Sequence, residues 1–316
     1  MNRHPFSRSI ASNTGRSTAA LLALLLVAPP LLAETRIDER RPLAADASVE
    51  VQNMQGSITI TGGDGSEIVI RGTLGEGARK LLVEGDEKRL RIKVDYPDSG
   101  GGWGRWWGGT VLGDTDLRIE LPRGVSLAAQ SVSASIEVEG VDGPRLALES
   151  VSGSLQARSA SAEVEVDSVS GDAVLELSNA TSVDLESVSG DIELRGSVAG
   201  RVKAEAVSGD IDLKLDGPLK DARLNVVSGD ITLEATLDKA ARAVINSLSG
   251  DVLVSLPQAT SARLRIETFS GRIDSPVGEV EKEEYGPGAR LSHTLGDGDA
   301  DLRLESFSGN VRVRLR

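Results

Sequence analysis

The sequence contains no cysteine, which excludes disulfide bonds, cysteine-based metal sites and a lipid anchor on cysteine. Aromatic residues make up only 3% of the chain, so we expect a narrow core filled by aliphatic side chains. Histidine is also scarce, and any Ser-His-acid triad beyond the N-terminal region would have to use His293. We interpret His293 as a surface residue and predict no catalytic residues and no cofactor.

Only one apolar run is long enough to consider as a membrane or targeting segment. Residues 1–18 carry three arginines and no acid, residues 19–28 are apolar, and the small residue Ala33 follows. This order is typical of a secretory signal peptide, and the run is shorter than the ~20 residues that span a bilayer. We therefore predict cleavage after Ala33, no transmembrane segment in the mature chain, and a periplasmic or cell-surface-associated protein.

Positive charge is under-represented. Without residues 1–33 the chain has 32 Lys and Arg against 48 Asp and Glu, a formal net charge of −16. Nucleic acids and anionic membrane surfaces reward positive patches, so neither is expected as the main partner. The charge is compatible with cations or basic partners.

A repeat centred on Ser-Gly dominates the remainder of the chain. Nine copies follow at steps of 18–21 residues, except for a final step of 38 that corresponds to about two periods. Ala134 replaces the glycine in the first copy. The glycines of the other eight copies are Gly153, Gly171, Gly190, Gly209, Gly229, Gly250, Gly271 and Gly309.

Apolar and polar residues alternate on both sides of each glycine, which predicts two short strands per repeat. Fixed columns at this period indicate an all-β fold, a parallel β-solenoid of about nine to ten coils. The glycine is expected at a corner where the next coil approaches closely, with the preceding serine bonded to the corner backbone or stacked in a hydroxyl ladder. We expect the apolar residue two before the glycine, such as Val188, to lie in the core.

Three regions follow from this pattern: a signal peptide at 1–33, an N-terminal region at 34–125, and the solenoid repeats at 126–316. The N-terminal region contains a first coil with its corner at Gly56, followed by inserted strands that we expect to form an antiparallel cap or side sheet. We expect the strand at 311–316 to be the open end of the stack, with its alternating arginines opposing edge-to-edge association.

A Gly-rich loop at 98–109 contains all three tryptophans, Trp103, Trp106 and Trp107. Exposed tryptophans often contact sugars, lipid headgroups or proteins. Rings folded back over a solenoid end are an equally good interpretation. The loop is the best localised candidate for ligand binding in the sequence.

An acidic column follows the corner glycine in five consecutive copies. Stacking would place like charges ~5 Å apart, so each carboxylate needs solvent, a bond to the corner backbone or a cation. Calcium prefers such oxygen clusters, but we favour solvation or backbone bonding. The members of this column, and the weak candidates for a metal site, are Asp172, Asp191, Asp210, Asp230 and Asp251.

The motif Ser-Val-Ser-Gly-Asp-Ile at 187–192, the early copy at Gly56 and the segment 116–125 resemble the bacterial putative-adhesin family of β-strand-repeat envelope proteins. The resemblance covers about residues 49–316. It implies a β-solenoid domain with no established enzymatic activity and no catalytic residues.

The leading hypothesis is therefore a non-catalytic exported envelope protein, an adhesin or binding scaffold whose partner is an unknown envelope protein or glycan. The alternatives are a carbohydrate-active β-helix enzyme that uses a carboxylate pair and a calcium-stabilised structural rod. The near-uniform repeats at 134–271 argue against a catalytic groove. We expect specific activity in the interruptions at 98–109 and 276–300.

Overall fold

A computed structural model describes residues 35–97, 112–284 and 286–316, and within these ranges the chain forms strands and no helix. The strands of the N-terminal region are β1 (Thr35–Pro42), β2 (Ser48–Asn53), β3 (Gly56–Gly63), β4 (Glu67–Leu74), β5 (Lys80–Gly85), β6 (Arg89–Asp95) and β7 (Thr115–Pro122). The first repeats follow as β8 (Ser126–Ser131), β9 (Ser135–Glu139), β10 (Arg145–Ser150), β11 (Leu155–Ser159) and β12 (Glu163–Ser168).

Four long strands come next, because the bend opposite the Ser-Gly corner does not interrupt the strand. They are β13 (Ala173–Ser187), β14 (Ile192–Ser208), β15 (Ile211–Ser228) and β16 (Ile231–Ser249). The remaining strands are β17 (Val252–Leu256), β18 (Ala262–Ser270), β19 (Ile273–Asp274), β20 (Glu281–Lys282), β21 (Ala289–Leu295), β22 (Ala300–Ser308) and β23 (Val311–Leu315).

The coils stack as a flattened solenoid with two sides. One side, the first sheet, contains the strands that follow each Ser-Gly corner, in the order β7, β3, β9, β11, β13, β14, β15, β16, β17, β23, β19. The opposite side, the second sheet, contains the strands that precede each corner, in the order β6, β2, β8, β10, β12, β13, β14, β15, β16, β22, β18. These pairings are parallel, which confirms the predicted solenoid.

Aliphatic ladders fill the space between the two sheets. Leu185 and Ile192, on either side of one corner, are fully or almost fully buried, and neighbouring coils repeat the arrangement. In the described part of the chain every buried hydrophobic side chain is Ala, Val, Leu or Ile. The described core is therefore aliphatic, as the scarcity of aromatic residues predicted.

The corner glycine is required by the approach of the neighbouring coil. A Cβ on Gly190 would lie 2.2 Å from the carbonyl oxygen of Gly171, and one on Gly153 would lie 1.9 Å from that of Ala134. Atoms cannot approach so closely, so a side chain at the corner would push the coils apart.

The corner backbone is satisfied by a different serine from the one we predicted. Ser187, three residues before the glycine, is buried; its hydroxyl donates to the Gly190 carbonyl at 2.7 Å and accepts from the Gly190 N–H at 2.9 Å. Ser189, directly before the glycine, is exposed. Among the adjacent serines Ser152 does bond the backbone, donating to the carbonyl of Val132 at 3.0 Å.

The prediction that Val188 and its equivalents lie in the core was wrong. Val188 is 46% exposed, because alternation from buried Leu185 places Ser187 inside and Val188 outside. The small hydroxyl of the serine fits under the tight corner and bonds it, whereas the branched valine projects from the outer surface.

Antiparallel strands cover the N-terminal end, as predicted. The coil of β6 and β7 stacks on the N-terminal side of the coil of β2 and β3. β5 pairs antiparallel with β6. β4 pairs antiparallel with both β7 and β1. β5 and β6 form an antiparallel hairpin.

The opposite end does not follow chain order. The coil of β22 and β23 lies between the coil of β16 and β17 and that of β18 and β19, so the expectation that 311–316 form the open end was wrong. Arg312 forms a salt bridge with Asp274 at 3.2 Å and does not lie on an open strand edge. The step of 38 residues arises because β20 and the antiparallel partner of β18, β21, intervene between the two coils.

Candidate ligand-binding groove

A groove of 2520 Å³ runs along the outer face of the second sheet, beside the Ser-Gly corners. One column of residues forms its apolar row, in stacking order Met54, Val132, Val151, Val169, Val188, Val207, Val227, Leu248, Phe307 and Phe269. A parallel column two residues earlier forms its polar row, Lys93, Gln52, Gln130, Glu149, Asp167, Glu186, Glu205, Asn225, Asn246, Glu305, Glu267 and Arg290.

The apolar row is a continuous exposed strip. From Val151 to Phe269 its eight side chains are between 43% and 54% exposed. The row ends in a pair of stacked rings, Phe269 and Phe307, whose centroids are 4.8 Å apart with an interplanar angle of 5°. Since coils stack at ~4.8 Å, these eight side chains extend over about 34 Å. Contiguous apolar surface of this extent is typical of an interaction site.

The central part of the polar row is crowded with carboxylates. Partial burial, followed by repulsion from Glu165 and Glu186 and more weakly from two further acids, raises the pKa of Asp167. Lys203 reaches across the coils, with its ammonium 3.3 Å from carboxylate oxygens of Asp184 and Glu205 and also bonded to Glu186. These contacts raise the pKa of Lys203, which stays charged. One cation is therefore shared by several acids, and the centre of the groove is negative.

Amides continue the polar row beyond the acids. Asn225 donates to a carboxylate oxygen of Glu205 at 2.9 Å, and Asn246 donates to the side-chain oxygen of Asn225 at the same distance. These ladders fix the amides, so the row presents an ordered polar strip next to the apolar one.

The ends of the groove are formed outside the regular repeats. Tyr96, Pro97 and Leu112 line one end, and the segments Glu281–Lys282 and Ala289–Arg290 line the other. Residues of the second predicted interruption and the described residues that flank the first therefore line the groove, while the repeats themselves supply most of its lining.

Trp103, Trp106 and Trp107 lie outside the described residues, so their role in binding remains a prediction. Pro97 and Leu112, the described residues that flank this segment, both line the groove. His293 lies half-buried on β21, in register with Leu264.

The acidic column after the glycine makes a ladder of its own. Each carboxylate accepts a hydrogen bond from the backbone N–H of the next coil: Asp172 from Asp191 at 3.0 Å, Asp191 from Asp210 at 2.9 Å, Asp210 from Asp230 at 2.8 Å. The ladder continues through Asp251, whose carboxylate bonds the backbone N–H of Asn310. Backbone bonding is one of the two arrangements that we favoured over a cation. In the residues that the structure describes, no group of three or more His, Asp or Glu is arranged to hold a metal ion.

The sequence contained a signal for the groove that we did not use. The parity of the strand, counted from the buried residue five before the glycine, places both the apolar and the polar row on the outside. A column that is apolar, outward-facing and repeated in every coil therefore predicts an apolar surface strip.

The profile of the Toastrack DUF4097 family matches residues 47–247. The chain belongs to this family. The Toastrack fold is accordingly a β-solenoid here, and the matched residues include the first coils and most of the groove. No curated protein matches the chain.

Structure comparison finds similar solved structures from several bacteria. A protein described as a putative lipid binding protein, from Parabacteroides distasonis, has a TM-score of 0.51 and 13% identity, with 88% of this chain and 96% of that chain covered. A putative adhesin from Parabacteroides merdae has a TM-score of 0.49 and 11% identity, with 88% and 95% covered. A putative cell adhesion protein from Clostridium sporogenes has a TM-score of 0.27 and 11% identity, with 89% and 100% covered. At 13% identity the likeness to the protein from Parabacteroides distasonis extends to the fold alone.

No helix capable of crossing a membrane occurs in the ranges that the structure describes.

Proposed function

We propose that this Toastrack protein is an exported, non-catalytic binding scaffold of the cell envelope, and that it binds its partner in the groove. The observation that carries the proposal is the apolar row, eight half-exposed side chains in line beside an ordered polar row. The solved structures reported above are described as a putative adhesin, a putative cell adhesion protein and a putative lipid binding protein, and these descriptions are compatible with a binding role.

Both rows are needed for useful affinity. Covering a half-exposed Val, Leu or Phe contributes about 1 kcal/mol, so the eight side chains from Val151 to Phe269 contribute about 8 kcal/mol. Association costs roughly 4–15 kcal/mol in lost translational and rotational freedom. Apolar contact alone therefore gives weak binding, and the polar row supplies both additional affinity and the choice of partner.

Photo-crosslinking in intact cells tests the proposal. A photoreactive amino acid replaces Val207 in the groove or, as the control, Val174, which is 39% exposed on the first sheet. We expect a defined adduct from position 207 and none from position 174. Equal labelling at both positions, or no adduct from any rung of the apolar row, would contradict a groove-based function.

Export is tested separately. We expect the protein isolated from the envelope fraction to begin at Glu34, as N-terminal sequencing would reveal. An intact Met1 in cytosolic protein would contradict this part of the proposal.

A carbohydrate-active enzyme is the weaker candidate, and Asp167 is the observation in its favour, since a raised carboxyl pKa is what a general acid needs. The neighbouring coils carry a carboxylate at the same position, however. A row of similar carboxylates does not provide one acid and one base in clearly different environments. The enzyme hypothesis predicts that Asp167→Asn abolishes hydrolysis of an envelope glycan, whereas the scaffold hypothesis predicts no hydrolysis by either form.

A further inference from the structure

The backbone of the groove is already occupied by pairing between coils. The floor crosses successive strands at right angles, and residues such as Asp167, Glu186 and Glu205 stand in register on β12, β13 and β14. Their N–H and C=O groups bond the neighbouring coils, so the groove offers no strand edge. An extended peptide lying here would leave its own backbone groups unpaired, whereas an α-helix satisfies them internally.

The spacing of the apolar row also matches a helix. Rungs recur at ~4.8 Å, and the apolar ridge of an amphipathic helix, at alternating three- and four-residue steps, advances by about 5.2 Å per contact. Side chains on one face of an extended strand are about 6.7 Å apart and lose register after one rung. The strip from Val151 to Phe269 accommodates a helix of about 22 residues.

The charge of the groove decides which helix fits. Four consecutive rungs of the polar row are acidic, and Lys203 is shared among three of the local carboxylates. A lipid tail laid along this row would desolvate charged groups without replacing their hydrogen bonds. A second copy of the chain would bring another acidic row. Lys and Arg on the flank of a helix would instead pair with the carboxylates as its apolar ridge covers the valines.

We infer that the groove binds an amphipathic α-helix of a partner protein, with its apolar face on the apolar row and Lys or Arg side chains along the acidic part of the polar row. The inference rests on the proposed function of the groove and adds the chemistry of the partner.

The probe is a fluorescently labelled 22-residue peptide of Leu and Lys with a heptad pattern, added to the purified protein. One control peptide has the same composition in an order without an apolar face, and a second has Glu in place of Lys. We expect anisotropy to report binding of the first peptide at least 10-fold tighter than either control, with weaker binding at higher salt and a gain of helical circular dichroism.

Matched variants locate the binding surface. The double variant Val188→Ser with Val207→Ser changes exposed side chains only, so it should fold normally and bind the peptide at least 10-fold more weakly. Glu186→Gln with Glu205→Gln should weaken binding and reduce its salt dependence. Val174→Ser and Glu137→Gln, on the first sheet, are the controls and should bind as the parent does.

The outcomes separate this inference from the proposed function. Equal peptide affinity of the groove variants and the controls would overturn the helix, even if crosslinking at position 207 still captures a partner. A crosslinked glycan or lipid, or groove-dependent binding to phosphatidylethanolamine vesicles but not to the peptide, would also overturn it and leave the groove as the binding surface. Absence of any groove adduct in cells would remove both.

Discussion

Gly190 is a residue at which one methyl group decides how closely two coils can stack. Its hypothetical Cβ meets a backbone carbonyl oxygen at 2.2 Å, and that oxygen belongs to a paired coil that cannot move independently. We expect Gly190→Ala to lower the free energy of unfolding by about 2–3 kcal/mol, the usual cost of overpacking. Urea unfolding measures this, with the exposed Ser189→Ala as the control at under about 0.5 kcal/mol. Equal midpoints for the two variants would show that the coils separate without cost.

Asp210 separates the backbone role of the acidic column from a calcium role. Its carboxylate accepts a hydrogen bond from the Asp230 backbone N–H. At the end of the same ladder Asn310 occupies the equivalent position, and its side-chain oxygen accepts from the Arg272 backbone N–H at 3.2 Å. If backbone bonding is the function, Asp210→Asn should be close to neutral and Asp210→Ala should cost about 1 kcal/mol.

Calcium would give the opposite result for the same residue. A bound ion needs the charge, so Asp210→Asn would then destabilise as much as Asp210→Ala, and a chelator would lower the melting temperature of the parent protein. We expect no shift with chelator. A fall of several degrees would establish the calcium-stabilised rod.

Asp167 makes stability depend on pH in an unusual direction. Its pKa is raised in the folded protein, so the native state binds the proton more tightly than the unfolded chain. Stability is therefore highest below the ordinary pKa of 3.8 and falls as pH rises to the folded pKa, above which the penalty is constant. For this group alone, Asp167→Asn should stabilise the protein at pH 7 by about 0.5 kcal/mol, since it removes the cost of burying the charged carboxylate and the repulsion by neighbouring acids.

The comparison for Asp167→Asn is made at two pH values. Thermal unfolding at pH 7 should show the gain, and near pH 3.5 the gain should shrink because the parent is then protonated. A variant that is less stable than the parent at pH 7 would mean that Asp167 accepts a stabilising bond from a group near it.

Within each strand, the alternation of apolar and polar residues predicts which side chains are buried better than hydrophobicity alone. The alternation on both sides of each glycine predicts strands with one buried face, and Leu185 and Ile192 lie on that face. Val188 was assigned to the core because it is apolar, although apolar residues also occupy surfaces and the parity of its strand points outward. The buried position went to Ser187, whose hydroxyl serves the corner. A short polar residue can be buried where the backbone supplies its hydrogen bonds.

The groove could be predicted only in part. Its two rows are columns of the repeat and follow from parity, whereas its ends depend on the strands that cap the stack. Glu281 and Lys282 pair with β21. This pairing places residues that lie outside the repeat at the end of the apolar row. No local pattern in 275–295 encodes that return.

The coil of β22 and β23 pairs with a neighbouring coil on each side, so its removal should destabilise both neighbours. Removing residues 300–316 leaves β16 and β17 facing β18 and β19 across a missing coil, with strand edges unpaired on both sides. We expect a lower melting temperature, loss of a single cooperative transition and aggregation. Arg312→Ala with Arg314→Ala keeps the coil and should shift the melting temperature by under about 2 °C. A truncated protein with the parent's transition would show that the two neighbours pair directly.

For the whole molecule, the solenoid followed from the spacing of the repeat, but the order of its coils did not. The polar row shows the reason, since Asn246, Glu305 and Glu267 stack in that order although Glu267 comes earlier in the chain than Glu305. Each coil carries the same pattern of buried columns, so exchanging two of them changes few contacts. The difference lies in the connection through β21, which pairs antiparallel outside β18.

The exchanged coils also determine when the protein can finish folding. Residues 262–274 are synthesised before residues 300–315, yet in the folded protein they pair with this later segment. The later segment also bonds a coil 59 residues earlier in the chain, as between Asn310 and Asp251. Folding that spreads coil by coil from the N-terminal end must therefore stop at β17 and leave its edge open. The later coil then enters from further along the chain, so closure is a slow, long-range step. Until residues 300–315 have emerged, the chain remains in an incompletely folded state that a protease can still cleave.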